Sequence, residues 1–225
     1  MAALSPKDYW SNKDIGPLRA APNASLFRFL GSAGFDFADK AVLEIGFGHG
    51  ADLLEAQRRG SRIHGVDINA VAVEQIRRRT GLDTFWQADI AKDPIEFGTT
   101  FDAIYSRDTI YYLDDHELAV YARRCFDALA PGGLVVVHFI LGDWARREAP
   151  AVAAAAIDSG DWTLLDGSFA SDNPIRFLDP VNVAAIFEAE GGRLIGRKTL
   201  SETYGIDEEF LRHQRYFMFS RRPEA

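Results

Sequence analysis

One carboxylate and three alternating glycines form the motif of this chain that points most directly to chemistry. Glu44 follows an apolar run, and Gly46, Gly48 and Gly50 come next, before a helical pattern that starts at Ala51. Glycine lets the backbone N–H groups of a turn approach a ligand closely, because no Cβ stands in the way. A turn of this kind after a buried strand is typical of a nucleotide-type binding site.

The charge of Glu44 discriminates between possible ligands. The run Gly46-x-Gly48-x-x-Ala51 also fits the dinucleotide fingerprint, in which alanine replaces the third glycine. A carboxylate facing that turn would repel a pyrophosphate and attract a cation. S-adenosylmethionine has a sulfonium, an α-ammonium and no phosphate, so Glu44 favours it over NAD(P). The alternative interpretation is that Glu44 forms an ion pair with a nearby basic side chain.

Two further predicted strands end in acids. Arg62–Asp67 is one of them, and its terminal carboxylate can accept both ribose hydroxyls of either cofactor, while Ile68 can pack on an adenine face. Thr84–Ile90 is the other, and Asp89 can accept from the exocyclic amine of adenine or cap a loop. These acids predict an adenosine ligand. Two more residues at strand ends are expected to contact the cofactor: Ile90 and Ser106.

The acceptor side of a methyl transfer places different demands on the protein. The donor is already activated, so the protein has to align the reactants and exclude water. An amine acceptor must be neutral, and a hydroxyl acceptor needs a base or a metal. The five histidines lack metal-ligand spacing, so we predict no metal site. His138 closes an apolar strand and is a candidate base, or alternatively a hydrogen-bonded part of the pocket wall.

Aromatic side chains near the predicted strand ends are candidates for substrate contact. Tyr9, Tyr111 and Tyr112 could surround a methylated ammonium through cation–π contacts, or they could be core or lid residues. The predicted substrate-binding residues are Tyr9, Trp10, Arg107, Tyr111 and Trp144.

Strand and helix patterns alternate from Lys40 to about Phe139, which predicts an α/β fold with a doubly wound, mostly parallel sheet. Asn69 is a predicted N-cap. The predicted helices are Ala70–Arg79, Asp115–Leu129 and Val181–Glu190. Beyond the strands given above, the predicted strands are Phe101–Ser106, Leu134–Phe139 after the turn Leu129–Gly133, Arg193–Leu200 and Gln214–Arg222.

In this order and spacing, the motifs resemble those of the class I S-adenosylmethionine-dependent methyltransferases. The matching residues are Glu44–Gly50, Asp67, Asp89, Phe101–Ser106 and Leu129–Gly133. The resemblance implies that Glu44, Gly46, Gly48 and Gly50 hold the methionine moiety, Asp67 the ribose and Asp89 the adenine.

The same resemblance implies a Rossmann-like sheet of seven strands, with an antiparallel last strand and a substrate-covering lid. We expect one methyltransferase domain over residues 1–225. Its expected parts are N-terminal lid or helices over 1–36, a cofactor-binding core over 37–141, a lid insertion over 142–180, and the last helix and strands over 181–225.

One segment is similar to phosphoethanolamine N-methyltransferases. Tyr105-Ser106-Arg107-Asp108 precedes an isoleucine, and in that family the aspartate contacts the amine while a histidine four residues later assists deprotonation. Here Asp108 matches, Tyr112 occupies the histidine position, and His138 replaces the family's aspartate after strand five. The resemblance therefore implies only that Asp108 contacts an amine, and it implies nothing about a phosphate-bearing substrate. With His138 as a candidate base, the predicted catalytic residues are His138, Asp108 and Tyr112.

Composition bounds the class of protein. A length of 225 residues favours one domain, and a net charge of −8 argues against a nucleic-acid partner. We expect no membrane segment and no signal peptide, and the single cysteine is compatible with the cytoplasm.

The sequence thus predicts an S-adenosylmethionine-dependent methyltransferase acting on a nitrogen or oxygen of a small molecule, and indicates no oligomeric state. Three alternatives remain open. They are a macromolecular acceptor (protein or RNA), an NAD(P)-dependent oxidoreductase, for which a Tyr-x-x-x-Lys relay is missing, and a subunit that binds the cofactor without turnover.

Overall fold

A seven-stranded sheet forms the centre of the structure, with the strand order β3-β2-β1-β4-β5-β7-β6. The computed structural model describes residues 6–16, 21–141, 175–204 and 210–223, with side chains described outside 201–213. The strands are β1 (Ala41–Ile45), β2 (Arg62–Asp67), β3 (Phe85–Gln87), β4 (Phe101–Ser106), β5 (Leu129–Ile140), β6 (Gly192–Tyr204) and β7 (Phe210–Arg221).

Helices connect these strands and cover both faces of the sheet. Among the described residues they are α1 (Pro6–Asn12), α2 (Ala24–Ser32), α3 (Ala51–Arg58), α4 (Ala70–Thr80), α5 (Asp115–Ala128), α6 (Pro180–Ala189) and a 3₁₀ turn at Ile110–Tyr112.

The pairing of the strands confirms the predicted doubly wound architecture. The first five strands pair in parallel, whereas β7 runs antiparallel to both β5 and β6. Strand order reverses at β1, which pairs with β2 on one side and β4 on the other. In open α/β sheets, the crevice outside the carboxyl ends of the strands at such a reversal is where ligands bind.

Each face of the sheet buries its own apolar layer. On one face α5 and α6 pack on the sheet, and on the other face α2, α3 and α4 do so. All five residues of β1 are buried, as expected for a central parallel strand covered on both sides. The first strand and its terminal turn are therefore fixed by core packing on both faces.

Three elements differ in extent from the sequence-based prediction. Strand β3 is shorter than the predicted Thr84–Ile90, because its partner β2 ends opposite Gln87 and leaves the later residues unpaired. The predicted turn Leu129–Gly133 lies inside β5, where the register with β4 shifts between Leu129 and Leu134. The β6–β7 hairpin extends beyond the predicted apolar stretches.

The N-terminal region divides into two parts with different surroundings. The segment around Tyr9 and Trp10, which has no clear period in sequence, forms the two-turn helix α1. Helix α2 instead packs into the core through Leu26, Phe27 and Leu30. Most of the predicted lid insertion (142–174), including Trp144, lies outside the described residues.

Helix α5 begins with a reciprocal capping box. The side chain of Asp114 accepts from the backbone N–H of Glu117 at 2.7 Å, and the Glu117 carboxylate accepts from the Asp114 N–H at 3.2 Å.

We expect Asp114→Ala to lower the free energy of unfolding by about 0.5–2 kcal/mol, because the replacement leaves a helix N–H without its cap. Urea denaturation should show this change, whereas Asp83→Ala, at an exposed position before β3, should shift the midpoint little. Equal effects of the two changes would contradict the capping role.

Candidate active site

A cavity of about 420 Å³ lies at the carboxyl ends of the parallel strands, at the reversal of strand order. Its volume falls within the usual range of small-molecule sites. The described residues that line it come from α1, the ends of β1 to β4 and the 3₁₀ turn. Those named in the paragraphs below are Lys7, Trp10, Glu44, Gly46, Gly48, Asp52, Asp67, Ile68, Asn69, Asp89, Ile90, Arg107, Asp108, Thr109, Tyr111 and Tyr112.

The three glycines of the turn have three different environments. A Cβ on Gly46 would overlap the side chain of Thr109, so the turn packs directly against the loop after β4. Gly48 has a φ of 49°, faces open space, and donates its N–H to Asp67 Oδ2 at 2.7 Å. Gly50 has a φ of 67° and caps α3, and it is not among the described residues that line the cavity. Gly48 is thus the glycine of the three whose missing side chain leaves room in the cavity.

Glu44 is a buried carboxylate with an unpaired oxygen. Its side chain lines the cavity and is 2% exposed, and within the described residues its Oε2 has no hydrogen-bond partner. Burial, and then the nearby charge of Asp52, hold the pKa of Glu44 well above its ordinary value, although Arg107 acts in the opposite direction. The predicted alternative of an ion pair with a basic neighbour is therefore not what the described contacts show.

The environment of Glu44 fits the cationic end of S-adenosylmethionine. A buried carboxylate with one unsatisfied oxygen is costly in the free protein, and an ammonium placed beside it would satisfy that oxygen. The bare backbone at Gly48 leaves space on the same wall. A pyrophosphate in that position would instead be repelled.

Asp67 joins the glycine turn to the N-terminal helix. Its carboxylate accepts from the N–H groups of Gly48 and Asn69, and burial raises its pKa. The side chain of Asn69 caps α4, as predicted, and also donates to the carbonyls of Trp10 at 2.7 Å and Lys13 at 2.8 Å. The ribose candidate and helix α1 are therefore held by adjacent residues.

Asp89 is engaged by a residue that the sequence analysis missed. Lys7 of α1 lies 2.8 Å from Asp89 Oδ2 and 2.5 Å from Glu117 Oε1, and Asp89 Oδ1 accepts from the N–H of Ala91. No local signal predicts a contact across 82 positions of the chain. Helix α1 is thus attached at both ends beside the two acids predicted to hold adenosine.

Arg107 is engaged by two carboxylates. Its Nε donates to Asp52 Oδ2 at 3.0 Å, and one terminal nitrogen donates to Asp108 Oδ2 at 3.1 Å. Burial lowers the pKa of Arg107, but Asp52 and Asp108 raise it more, so the guanidinium is firmly charged. Arg107, which was expected to bind substrate, therefore bridges Asp52 and Asp108.

Asp108 lines the cavity in an unusual backbone conformation, with a φ of 56°. His138 lies behind it, 1% exposed, with Nδ1 3.3 Å from Asp108 Oδ1 and Nε2 2.6 Å from Gln214 Oε1. His138 itself is not among the described residues that line the cavity. The structure thus brings two of the predicted catalytic residues together. Asp108 lines the cavity, and His138 contacts Asp108 from the interior of the protein.

The aromatic candidates occupy one side of the cavity. Tyr111 and Tyr112 line it with ring centroids 4.5 Å apart, and the ring of Trp10 lies 5.7 Å from that of Tyr112. Tyr9 instead stacks edge-on against Trp10 and lies under the ammonium of Lys13. Trp10 therefore lies beside the tyrosine pair, Tyr9 is not among the described residues that line the cavity, and the aromatic box stays a prediction.

The other expected cofactor contacts fall into two groups. Ile68 and Ile90 line the cavity beside Asp67 and Asp89. Ser106 does not, because its buried hydroxyl accepts from Tyr121 on the face covered by α5. The alternation of side chains along β4 turns Ser106 away from the site.

The described residues hold no group of three or more His, Cys, Asp or Glu side chains placed to bind a metal ion. Among the described helices, none combines the length and apolar character needed to cross a membrane.

Part of the chain is similar to a known protein family. Residues 42–133 match a family model described as a methyltransferase domain. No curated protein matches the sequence.

Solved structures share the fold across most of the chain. A protein from Methanosarcina mazei described as an S-adenosylmethionine-dependent methyltransferase has a TM-score of 0.69 at 12% identity, covering 91% of this chain and 100% of its own. The N-methyltransferase NodS from Bradyrhizobium japonicum, with S-adenosyl-L-homocysteine, has a TM-score of 0.60 at 21% identity over 89% and 85%. Magnesium protoporphyrin IX methyltransferase from Synechocystis PCC 6803, with the cofactor bound, has a TM-score of 0.62 at 14% identity over 98% and 99%.

The strand order and the crevice at its reversal match the fold of solved S-adenosylmethionine-dependent methyltransferases. With the family match, they confirm the resemblance found in the sequence. Residues 42–133 thus match a methyltransferase domain, and the chain has the fold of solved S-adenosylmethionine-dependent methyltransferases.

The burial of Glu44 predicts a pH effect on the stability of the free protein. Because its folded-state pKa lies above the ordinary value of 4.5, the folded form binds more protons, and stability falls as pH rises above that value. We expect Glu44→Gln, which resembles the protonated side chain, to match wild type near pH 4 and to become increasingly more stable toward pH 8. Thermal melts across this range measure the difference.

Glu55→Gln is the matched control with the opposite sign. Arg58 and Arg59 lower the pKa of the Glu55 carboxyl to about 2, so its stabilisation is present above pH 4.5 and is lost as pH falls toward 2. Glu55→Gln should therefore be slightly less stable than wild type at neutral pH, since this pair is solvent-screened. A Glu44→Gln variant that follows the same direction would contradict the buried, unpaired state of Glu44.

Proposed function

We propose that the protein is a class I S-adenosylmethionine-dependent methyltransferase, that it transfers the methyl group of S-adenosylmethionine to a nitrogen or oxygen of a small molecule, and that an amine nitrogen is the favoured acceptor. The observation that carries the proposal is the Asp108 carboxylate on the cavity wall, beside two tyrosines and backed by His138. S-adenosylmethionine supplies an activated methyl group on a sulfonium. The residues of the chain have to orient an acceptor and receive its proton.

The cofactor contacts follow from the placement of the acids. Glu44 and the turn at Gly48 would hold the methionine ammonium, and Asp67 would accept from the ribose hydroxyls through its remaining lone pairs. Asp89 would hold the adenine, with Ile68 and Ile90 as its apolar neighbours on the cavity wall. The support for this arrangement is that these side chains line the same cavity. Helix α1, with Lys7 and Trp10, would form the lid over it.

The charges near the acceptor side favour an amine over an anionic substrate. Lys7 and Arg107 are each shared between two carboxylates, so neither offers an unshared positive charge to a phosphate or carboxylate. Asp108 and the faces of Tyr111 and Tyr112 attract a cationic or polar nitrogen.

A small acceptor is supported by the size of the cavity and by two structural relatives. The volume of about 420 Å³ is modest for a site that holds a cofactor and an acceptor together. Of the proteins with this fold, one is a magnesium protoporphyrin IX methyltransferase and another is described as an N-methyltransferase. The net charge of −8 disfavours RNA.

Calorimetry tests the assignment of Glu44 to the cofactor. We expect Glu44→Gln to weaken S-adenosylmethionine binding by roughly ten- to hundred-fold, the loss of a charge-assisted hydrogen bond of about 1.5–3 kcal/mol. The affinity of wild type should fall as pH is lowered, because a protonated Glu44 cannot pair with an ammonium. Glu55→Gln should bind as wild type does. Unchanged affinity in Glu44→Gln would remove the carboxylate from the cofactor site.

An acceptor screen tests Asp108. S-adenosyl-L-homocysteine release would be measured with matched pairs of small primary amines and alcohols, among them benzylamine with benzyl alcohol and tyramine with tyrosol. We expect turnover with amines, and a loss of about 10²- to 10⁴-fold in Asp108→Ala with cofactor affinity largely kept. Asp83→Ala is the control at an exposed acid. Turnover with alcohols alone, or an equal loss of cofactor affinity in Asp108→Ala, would contradict the assignment.

A further inference from the structure

A buried polar chain behind Asp108 is not explained by binding of either substrate. His138 and Gln214 are 1% and 3% exposed and belong to the neighbouring antiparallel strands β5 and β7. His138 pairs in register with Tyr216, and Gln214 with Ile140. The two-residue offset puts both polar side chains on the same face of the sheet, as diagonal neighbours.

The contact between these two side chains determines where the imidazole carries hydrogen. Gln214 Oε1 lies 2.6 Å from His138 Nε2, and an amide oxygen can only accept a hydrogen bond. Nε2 is therefore the N–H of the neutral ring, and Nδ1 carries a lone pair.

The lone pair on Nδ1 points to a carboxylate. Nδ1 lies 3.3 Å from Asp108 Oδ1 and makes no hydrogen bond within the described residues. Arg107 binds the other oxygen, Oδ2. Two acceptor atoms that face each other in a buried place repel, and a single proton between them relieves the repulsion and forms a hydrogen bond.

We propose that Gln214 is a positioning residue that fixes His138 with its proton on Nε2, so that His138 and Asp108 together receive one proton from the methyl acceptor. This inference rests on the proposed function for the origin of that proton. An N–H bond of the acceptor breaks and the proton passes to the Asp108–His138 pair. The freed lone pair of nitrogen forms the bond to the methyl carbon, while the electrons of the broken carbon–sulfur bond stay on sulfur.

A neutral amide at position 214 is required for this role. A carboxylate there would attract a second proton to the imidazole and fill the site before an acceptor arrives. Among the described residues, the imidazole also faces the uncharged ring of Tyr216, 4.5 Å away, and the guanidinium of Arg107 donates to Asp108.

Nitrogen NMR of protein labelled at the histidine rings tests the inference without an acceptor. We expect the neutral His138 ring of wild type to show a protonated Nε2 and an unprotonated Nδ1. In Gln214→Leu the proton should move to Nδ1, toward Asp108. In Gln214→Glu both nitrogens should stay protonated to higher pH. Exposed His116 is the internal reference, and Gln87→Leu, exposed at the end of β3, is the control.

Three results would overturn the proposal. Two come from NMR: a wild-type His138 with its proton on Nδ1 at alkaline pH, and a protonation pattern that Gln214→Leu leaves unchanged.

The third comes from the pH dependence of kcat with an amine that the protein methylates. The acid limb of the kcat profile should move to higher pH in Gln214→Glu with little change in the acceptor KM, and an unmoved limb would exclude a proton-accepting role. Absence of any amine turnover, with the NMR pattern as expected, would instead count against the proposed function.

Discussion

The carboxylate of Glu44 is held in the interior with one oxygen unsatisfied, and the geometry around it serves to keep it there. Strand β1 is buried along its whole length, so the carboxylate at its end cannot turn toward solvent. Thr109 packs against Gly46 and fixes the turn that follows. A buried carboxylate with an unsatisfied oxygen costs free energy in the free protein. A cation that pairs with this oxygen on binding offsets that cost.

The remaining charges of the cavity are arranged in shared pairs. Lys7 joins Asp89 to Glu117, and Arg107 joins Asp52 to Asp108. Each base is thereby used to hold part of the structure: Lys7 holds the N-terminal helix, and Arg107 holds the acceptor-side aspartate. Because the bases are outnumbered by the acids they join, the cavity keeps the negative character that a sulfonium cofactor requires.

The sequence predicts most of the sheet and the cofactor crevice, because these depend on local patterns. Buried parallel strands appear as apolar runs, and the acids at their ends meet because parallel strands end at one edge. The bridge from Lys7 to Asp89 spans 82 positions, and that from Arg107 to Asp52 spans 55, so no local pattern marks either. The direction of individual side chains is likewise not set by the apolar pattern: Ser106 faces Tyr121, and His138 lies behind Asp108.

Local preference and function conflict at two positions of the site. Asp108 adopts a left-handed backbone conformation with a φ of 56°, which an aspartate tolerates at some cost, and Glu44 is buried without a full set of partners. Neither feature stabilises the free protein, whereas the packing of β1 and the capping of α5 do. Such conflicts persist where the surrounding structure imposes them. Both residues line the same cavity, so the two costs fall where the proposed cofactor and acceptor would bind.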